Sequence, residues 1–327
     1  MELAVLTWSE LVDEIGTPHL AREALEGQEW RRVLRDAYAP AEMPDDAETR
    51  LAAARKVLPD DVVLSHWAAL WVLGCDVLPR GRDGLDVIDV VVPRGRHLTA
   101  RRGLRPHSAL VPDHELVEVG GVLVVSAARA PVDVSRDFGV VEGVACRDAA
   151  LRAGAATVNG IAASVDGAAG LRGVVAARQA LPLMNGRSES LMESRVRVSY
   201  ALEGDIHMEP QVDLYDSEGI HRGRADLYLK GVVVEYDGRA ERLEKAKFVG
   251  DRRRQGGLSD LGLEIRQVTS DDYYRQSAAY RIGVVRRALA KAKGRSDRTW
   301  FFGPDTLRAT RMRPLPTRAD LHGESAA

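Results

Sequence analysis

The segment RADLYLKGVVVEYDG, from Arg224 to Gly238, has the pattern of two short β-strands joined by a two-residue turn at Lys230-Gly231. β-branched and aromatic residues favour strands, and glycine accommodates the positive φ angle that such a turn requires. Pairing across this turn sets Leu229 against Val232. Because a slip by one residue would reverse the faces of both strands, this register fixes which side chains share a face.

The hairpin carries three carboxylates, although aspartate is depleted in strands and like charges destabilise facing positions. Counting outward from the turn sets Asp226 opposite Glu235. Side chains alternate between the faces of a strand, so Asp226, Glu235 and Asp237 are predicted to share one face. The opposite face is predicted to be apolar and to pack on a helix; it consists of Leu227, Leu229, Val232 and Val234.

The negative charge of this face requires compensation, and two forms of it stay open. One is ion pairing, with Arg224, Arg239 and Arg266 as candidates. The other is Mg²⁺ or Mn²⁺ held by the three carboxylates, since Mg²⁺ takes oxygen ligands and completes its shell with water and phosphate. A metal held there would generate hydroxide and stabilise charge on a scissile phosphate.

The residues around the hairpin favour the metal interpretation. Glu193 lies on a neighbouring helix that Ser188 is expected to cap, and it would add a carboxylate at the edge of the site. The segment DRRR, which ends at Arg254, offers guanidinium groups for phosphate. Arg266 alternates along the predicted strand LEIRQVT and is expected to face the same cleft.

The chain has 327 residues, which predicts two or three domains, and 45% hydrophobic with 29% charged residues is typical of a globular protein. A net charge of −2 excludes a globally basic nucleic-acid binder, so any such binding would use local patches.

Cys75 and Cys146 form neither a CxxC pair nor a disulfide framework, and both are predicted to fill the core in a reducing compartment. The N-terminus lacks the pattern of a signal peptide, and no apolar run is long enough to span a bilayer. The predicted location is the cytoplasm, without a membrane partner.

The N-terminal segment has the parts of a winged helix-turn-helix. Thr7 and Glu10 form a capping box for a first helix, a second helix follows after a tight turn, and WRRVLRDAYAP reads as extended chain. In this interpretation Arg22 points from the second helix toward DNA, with Arg31 and Arg32 on the wing. A helical hairpin used only for packing gives the same pattern.

The middle of the chain predicts a mixed α/β region. SHWAALWVLG is typical of a buried helix, DVIDVVVP of a strand, and ELVEVGGVLVVS of a hairpin turning at Gly120-Gly121. SAARAPVDVSRDFG is predicted to be a helix broken at Pro131. Several residues here lack metal or triad spacing and are expected to be structural or exposed: Ser65, His66, His97, His107 and His114.

The last domain has the order helix, three strands, helix, strand, helix, which predicts a mixed sheet. The fold class is therefore α/β with several domains. The predicted divisions are a winged helix-turn-helix at 1–58, an α/β domain at 59–185, a mixed-sheet domain at 186–294 and a partly disordered tail at 295–327.

The segments RSESLMESRVR, RADLYLKGVVVEYDGRAE and DRRRQGGLSDLGLEIRQVTSDD resemble endonuclease-like domains related to very-short-patch repair endonucleases, within the PD-(D/E)xK superfamily. The resemblance covers about residues 186–289 and implies a restriction-endonuclease-like mixed sheet flanked by helices. LTWSELVDEIGTPHLAREALEGQEWRRVLRDAYAP is similar to the winged helix-turn-helix of AbiEi-type antitoxins.

By position, the resemblance implies that Glu193 is the helix-borne acidic residue and that Asp226 and Glu235 bind the metal. Asp237 stands where the wider superfamily usually has lysine. Many relatives have a histidine shortly after the DG pair, at a position where this chain has Glu241.

The same resemblance matches Arg254 to an arginine of the next helix and Arg266 to an arginine of the final strand. The predicted function is DNA binding combined with Mg²⁺-dependent phosphodiester hydrolysis. The alternative is a non-catalytic, antitoxin-like regulator with a degenerate nuclease fold. A protein-interaction module with neither activity is a third possibility.

Overall fold

The computed structural model of the protein describes residues 4–58, 62–77, 87–92, 104–216, 218–237, 258, 261–294 and 300–302. The fold is mixed α/β and divides into two compact units, Met1–Arg178 and Gln179–Ala327. The boundary lies close to the predicted domain start at residue 186. The division of the first unit into 1–58 and 59–185 stays a prediction.

In the first unit, the described residues form the following helices and strands. They are α1 (Trp8–Ile15), α2 (Pro18–Glu26), β1 (Trp30–Leu34), β2 (Ala37–Pro40), α3 (Ala47–Val57), β3 (Val63–Leu64), α4 (His66–Val72), β4 (Ile88–Val92), β5 (Leu104–Ser108), β6 (Leu116–Val119), β7 (Val122–Val125), α5 (Ala130–Phe138), α6 (Val140–Arg152), α7 (Val158–Gly167) and α8 (Val174–Ala180).

The two N-terminal helices begin at the residues that the sequence predicts. The Thr7 side chain accepts a hydrogen bond from the Glu10 amide, and the Glu10 carboxylate accepts one from the Thr7 amide, which completes the predicted capping box. The Thr17 side chain caps α2 by accepting a hydrogen bond from the Leu20 amide. Strands β1 and β2 form an antiparallel hairpin, to which Leu6 adds an isolated bridge at Tyr38.

The first unit contains a five-stranded mixed sheet with the order β5-β4-β3-β7-β6. The predicted hairpin at Gly120-Gly121 is confirmed, because both glycines have positive φ and β6 pairs with β7 across them. The predicted break at Pro131 is wrong. Pro131 lies in the first turn of α5, where its missing N–H has no intrahelical partner to lose.

Neither cysteine forms a disulfide, and both are buried, as predicted. Cys146 lies in α6 and Cys75 follows α4. Within the part of the chain that the structure describes, no helix has both the length and the hydropathy to cross a bilayer.

The second unit is built on another five-stranded mixed sheet. Its described elements are α9 (Leu191–Gly204), β8 (Glu209–Asp216), β9 (His221–Leu229), β10 (Val232–Asp237), β11 (Glu264–Thr269), α10 (Ser270–Arg275), α11 (Ala278–Lys293) and β12 (Trp300–Phe302). The strand order is β11-β10-β9-β8-β12, and among the described strand pairs only β10–β11 is parallel.

The predicted tail contains a strand. Trp300–Phe302 forms β12 and pairs antiparallel with β8, whereas partial disorder of the tail stays a prediction. Residues 303–327 of the tail, and most of the charged helix predicted between β10 and β11, lie outside the described residues.

The β9–β10 hairpin has the predicted register. Lys230 and Gly231 have φ angles of 46° and 86°, and Leu229 pairs with Val232. One face packs on α9 and α11 through an apolar cluster that includes Leu227 and Val234. The other face is also covered, by a second apolar cluster built from Val212, Leu214, Ala225, Tyr228, Val233, Leu258, Leu261 and Leu263.

Candidate functional site

The N-terminus of α9 carries the first predicted site residue, Glu193. The helix begins at Leu191, and Ser190 rather than the predicted Ser188 is its cap. The Ser190 hydroxyl accepts a hydrogen bond of 3.1 Å from the Glu193 amide. The cap thereby fixes Glu193 in the first turn, with its carboxylate turned back toward the start of the helix.

The carboxylate of Glu193 is buried, with 6% of the residue exposed. Oε1 accepts a hydrogen bond from the Ser190 hydroxyl, and Oε2 accepts from the Glu189 amide and from Gln211 Nε2, all at 2.9 Å. Burial, and then the charge of Asp226, raise the pKa of Glu193 above its usual range. The helix-borne carboxylate and the hairpin carboxylate therefore interact.

Asp226 and Glu235 occupy adjacent strands of the hairpin. Continuing the observed pairing sets them opposite each other, and Asp226 Oδ2 accepts a hydrogen bond of 3.1 Å from the Tyr236 amide. Glu235 is 3% exposed. Because Tyr236 directly follows Glu235, this bond holds the Asp226 side chain beside the strand that carries Glu235.

Gln211 completes this group and was missed by sequence reasoning. Pro210 pairs with Leu227 and Val212 with Ala225, so Gln211 lies opposite Asp226. Its φ of 55° is left-handed, a costly conformation for a non-glycine residue that is over-represented at ligand sites. The sequence offers no clear signal for Gln211, because β8 also carries Glu209, Asp213 and Asp216. We call Glu193, Gln211, Asp226 and Glu235 the acidic cluster.

Asp237 lies at the end of β10, half-buried and in register with Thr269. Among the described residues, the hairpin carboxylates do not form a group of three ligand atoms lying within 4.8 Å of one another. The three hairpin carboxylates therefore do not lie close enough together to form the predicted three-ligand metal site. The acidic cluster offers the paired carboxylates of Asp226 and Glu235.

One of the predicted arginine partners, Arg266, lies on the other face of the sheet from Glu235. Arg266 is in register with Val234, on the face covered by α11, and donates a hydrogen bond of 3.2 Å to Glu264. Glu235 is in register with Gln267 on the opposite face, so the predicted common cleft for Arg266 is wrong. Arg254 lies outside the described residues.

A surface cleft next to the acidic cluster contains guanidinium groups that the sequence prediction did not group together. Arg224 donates to Asp213 at 3.0 Å and Arg222 to Asp216 at 2.7 Å, so their charges are balanced within the chain. The cleft is lined by Glu189, Gln211, Asp213, His221, Arg222, Gly223 and Arg224.

The three arginines predicted to face DNA have different environments. Arg22 is exposed on α2, with its guanidinium carbon 5.9 Å from the centroid of the Trp8 ring. Arg32 is exposed on β1. Arg31 donates to the carbonyl oxygens of Met43 and Pro44, so its guanidinium group supports the chain that follows the hairpin.

A second cluster, in the first unit, brings together residues that the sequence suggested were scattered. His66 Nε2 and His107 Nδ1 each lie 3.1 Å from Asp137 Oδ2. His107 Nε2 lies 2.7 Å from Asp89 Oδ1, and His66 Nδ1 lies 2.9 Å from the Ser65 hydroxyl. We call these five residues the histidine cluster.

The electrostatics of the histidine cluster are strongly coupled. Burial alone would lower the pKa of His107, but its hydrogen bonds with Asp137 and Asp89 outweigh burial and raise that pKa to about 9. Hydrogen bonds from His107 and then from His66 hold the pKa of Asp137 far below its usual range. The two imidazole rings stack with centroids 4.1 Å apart.

Comparison with known proteins gives relatives without an assigned activity. No family model matches the chain. Over 163 residues it is 31% identical to Uncharacterized protein Rv2248 and to Uncharacterized protein MT2308, both from Mycobacterium tuberculosis. The match covers 49% of this chain and spans 60% of the length of each relative. Function therefore has to be inferred from the geometry of the sites.

Proposed function

We propose that the second unit hydrolyses DNA phosphodiester bonds with a divalent cation bound at the acidic cluster. The observation that carries this proposal is the convergence of Glu193, from a helix N-terminus, on Asp226, which faces the buried Glu235 across the hairpin. Carboxylates brought together from separate elements need positive charge close by, and in this proposal a divalent cation supplies it.

The donor set fits Mg²⁺ or Mn²⁺. Asp226 and Glu235 would hold the ion, because Mg²⁺ is commonly bound by one or two carboxylates with water and substrate phosphate. A cation bound there supplies an activated water and stabilises charge on the phosphate. Glu193 would orient that water from the edge of the site, and Asp237 would assist from the end of β10.

The cleft beside the cluster supports contact with a polyanion. Arg222 and Arg224 line it, and an incoming phosphate would compete with Asp216 and Asp213 for their guanidinium groups. Arg266 has no such role in this proposal, since it lies on the other face of the sheet. Arg254 stays a predicted phosphate contact.

Cleavage of supercoiled plasmid and short duplexes with Mg²⁺ or Mn²⁺ tests the proposal. Wild type is expected to cut, whereas Asp226→Asn and Glu235→Gln are expected to lose at least about 100-fold in rate, as for loss of groups that stabilise transition-state charge. Asp271→Asn is the matched control, because that carboxylate is exposed and forms an ion pair with the exposed Arg275. Equal cleavage by all four proteins would refute the assignment.

A second candidate function is sequence-specific DNA binding without cleavage. It is favoured by the Glu193 carboxylate, whose oxygens accept three hydrogen bonds from within the chain, as in a structural helix cap. The exposed Arg22 and Arg32 of the N-terminal helix pair and hairpin would then contact phosphate or bases.

Salt-dependent DNA affinity separates the two candidates. Replacing a phosphate-contacting arginine reduces the salt slope by about 1, so Arg22→Ala and Arg32→Ala should show this change. Arg178→Ala, an exposed arginine on α8, serves as the control. Tight binding that these variants weaken, with no cleavage under either metal, would favour the regulator over the nuclease.

A further inference from the structure

We infer that His66, His107 and Asp137 form a binding site for a divalent transition metal, with Zn²⁺ as the ion that fits the donor set. The site lies in the first unit and is independent of the nuclease proposed for the second. Its ligands come from the N-terminus of α4, from β5 and from the last turn of α5.

The spacing of the donor atoms suits one ion. One ligand atom from each of the three residues lies within 4.8 Å of the other two. Zinc–ligand bonds of about 2.0–2.2 Å place the donors around one ion roughly 3–4 Å apart. Two imidazoles and one carboxylate are a common three-ligand set for zinc, with the fourth position left for water or substrate.

In each histidine, the ring nitrogen that faces away from Asp137 already has a hydrogen-bond partner, and the other ring nitrogen is directed at Asp137. His107 Nε2 lies against the buried carboxylate of Asp89, and His66 Nδ1 lies against the Ser65 hydroxyl. A carboxylate behind a ligating histidine is the usual outer-shell arrangement in zinc sites, since it fixes the tautomer and the ring orientation.

His107 has a carboxylate oxygen next to each of its ring nitrogens, and this arrangement requires a bound cation or an extra proton on the ring. A neutral imidazole has one N–H, and donating it to Asp89 leaves the Nδ1 lone pair facing the Asp137 carboxylate. Two acceptors in contact repel each other. A metal ion between them removes that conflict, and a doubly protonated His107 is the competing solution.

The surroundings favour a cation with access to solvent. Among the residues that the structure describes, the carboxylates of Asp89 and Asp137 lie together, and the guanidinium group of Arg105 lies 3.4 Å from Asp89. The Asp137 side chain is 35% exposed whereas that of His66 is 2% exposed, so an ion would enter from the carboxylate side. His66 has a left-handed φ of 53°, the kind of backbone strain that concentrates at ligand sites.

Metal loading of the full chain tests the inference. Protein treated with chelator, loaded with Co²⁺ or Zn²⁺ and desalted is expected to retain one metal per chain, with a visible d–d absorption band for cobalt. Excess zinc at about 100 times its Kd should raise Tm by roughly 5–10 °C. Asp137→Asn and His107→Gln should lose both effects, whereas His114→Gln, which removes an exposed histidine, should keep them.

X-ray absorption of the zinc-loaded wild type gives a readout that does not depend on the folding of any variant. Two imidazole nitrogens with oxygen ligands and no sulfur would support the site. A wild type that retains no metal, a zinc shell with fewer than two imidazoles, or equal loading of wild type and folded ligand variants would overturn the inference. The histidine cluster would then be held by protons alone.

Discussion

The buried ion cluster around Arg129 gives a stability prediction that can be worked from the structure. Arg129 is 1% exposed and forms ion pairs with Glu115 and with Asp133, the latter at 2.9 Å. Asp133 also pairs with Arg136 at 2.6 Å, so it keeps a partner if Arg129 is removed. The buried carboxylate of Glu115 depends on Arg129 in this cluster.

Replacing Arg129 by methionine should therefore cost about 3–5 kcal/mol of unfolding free energy, because it leaves a buried carboxylate without its partner. That loss corresponds to a lower urea midpoint by roughly 1–2 M for a unit of this size. The double variant Arg129→Met/Glu115→Met should recover most of the loss, because apolar replacement of a whole buried pair is often close to neutral.

Tryptophan fluorescence during urea unfolding reports mainly on the first unit, since four of the five tryptophans precede residue 178. Lys56→Met is the control, because its pair with Glu10 is exposed and is worth at most about 1 kcal/mol. A cost below about 1 kcal/mol for Arg129→Met, or additive losses in the double variant, would refute the reasoning.

Three further perturbations probe other parts of the chain. Burial raises the pKa of Glu193 in the folded protein above its value in the unfolded chain. The contribution of Glu193 to stability is therefore fully present below the unfolded-state pKa and is lost as the pH rises through the folded-state pKa. In chelator, Glu193→Gln should have the same stability as wild type at low pH and a higher stability at high pH. Equal melting at all pH values would contradict this. Gly143→Ala should cost roughly 1–3 kcal/mol in a denaturation experiment, because its Cβ would lie 1.9 Å from Ser135 Oγ and 2.8 Å from Ser135 Cα. Adding Ser135→Ala should restore only part of the lost stability, because the contact with the Cα atom of residue 135 remains. Full recovery of stability would contradict this, since it would show that the backbone moves to relieve the contact. Cys75 and Cys146 should both resist a thiol reagent at pH 8 until urea is added, since both are fully buried and burial raises the pKa of Cys75 to about 11. Native-state labelling of either would contradict the burial.

Local sequence chemistry was enough to predict the hairpin of the second unit. The Lys230-Gly231 turn sets the register within a few residues, so the opposition of Asp226 and Glu235 needs no long-range information. Arg266 was placed on the wrong face for the complementary reason. Arg266 lies on β11, which is joined to β10 by a long crossover rather than a tight turn. The sequence alone does not fix the register of such a parallel strand pair.

The histidine cluster could not be found from spacing. His66, His107 and Asp137 come from three elements, and their proximity depends on how β4, β5, α4 and α5 pack in one unit. Metal motifs are recognisable in sequence when two ligands lie on one turn or loop. In this cluster each proposed ligand comes from a different element.

The short strand β12 has a consequence for synthesis of the chain. It covers the outer side of β8, which would otherwise present unpaired amide and carbonyl groups along a sheet edge. Residues 300–302 are made after every other strand of that sheet. Until they emerge from the ribosome, and in any truncation that ends before them, β8 offers a template for pairing with another chain.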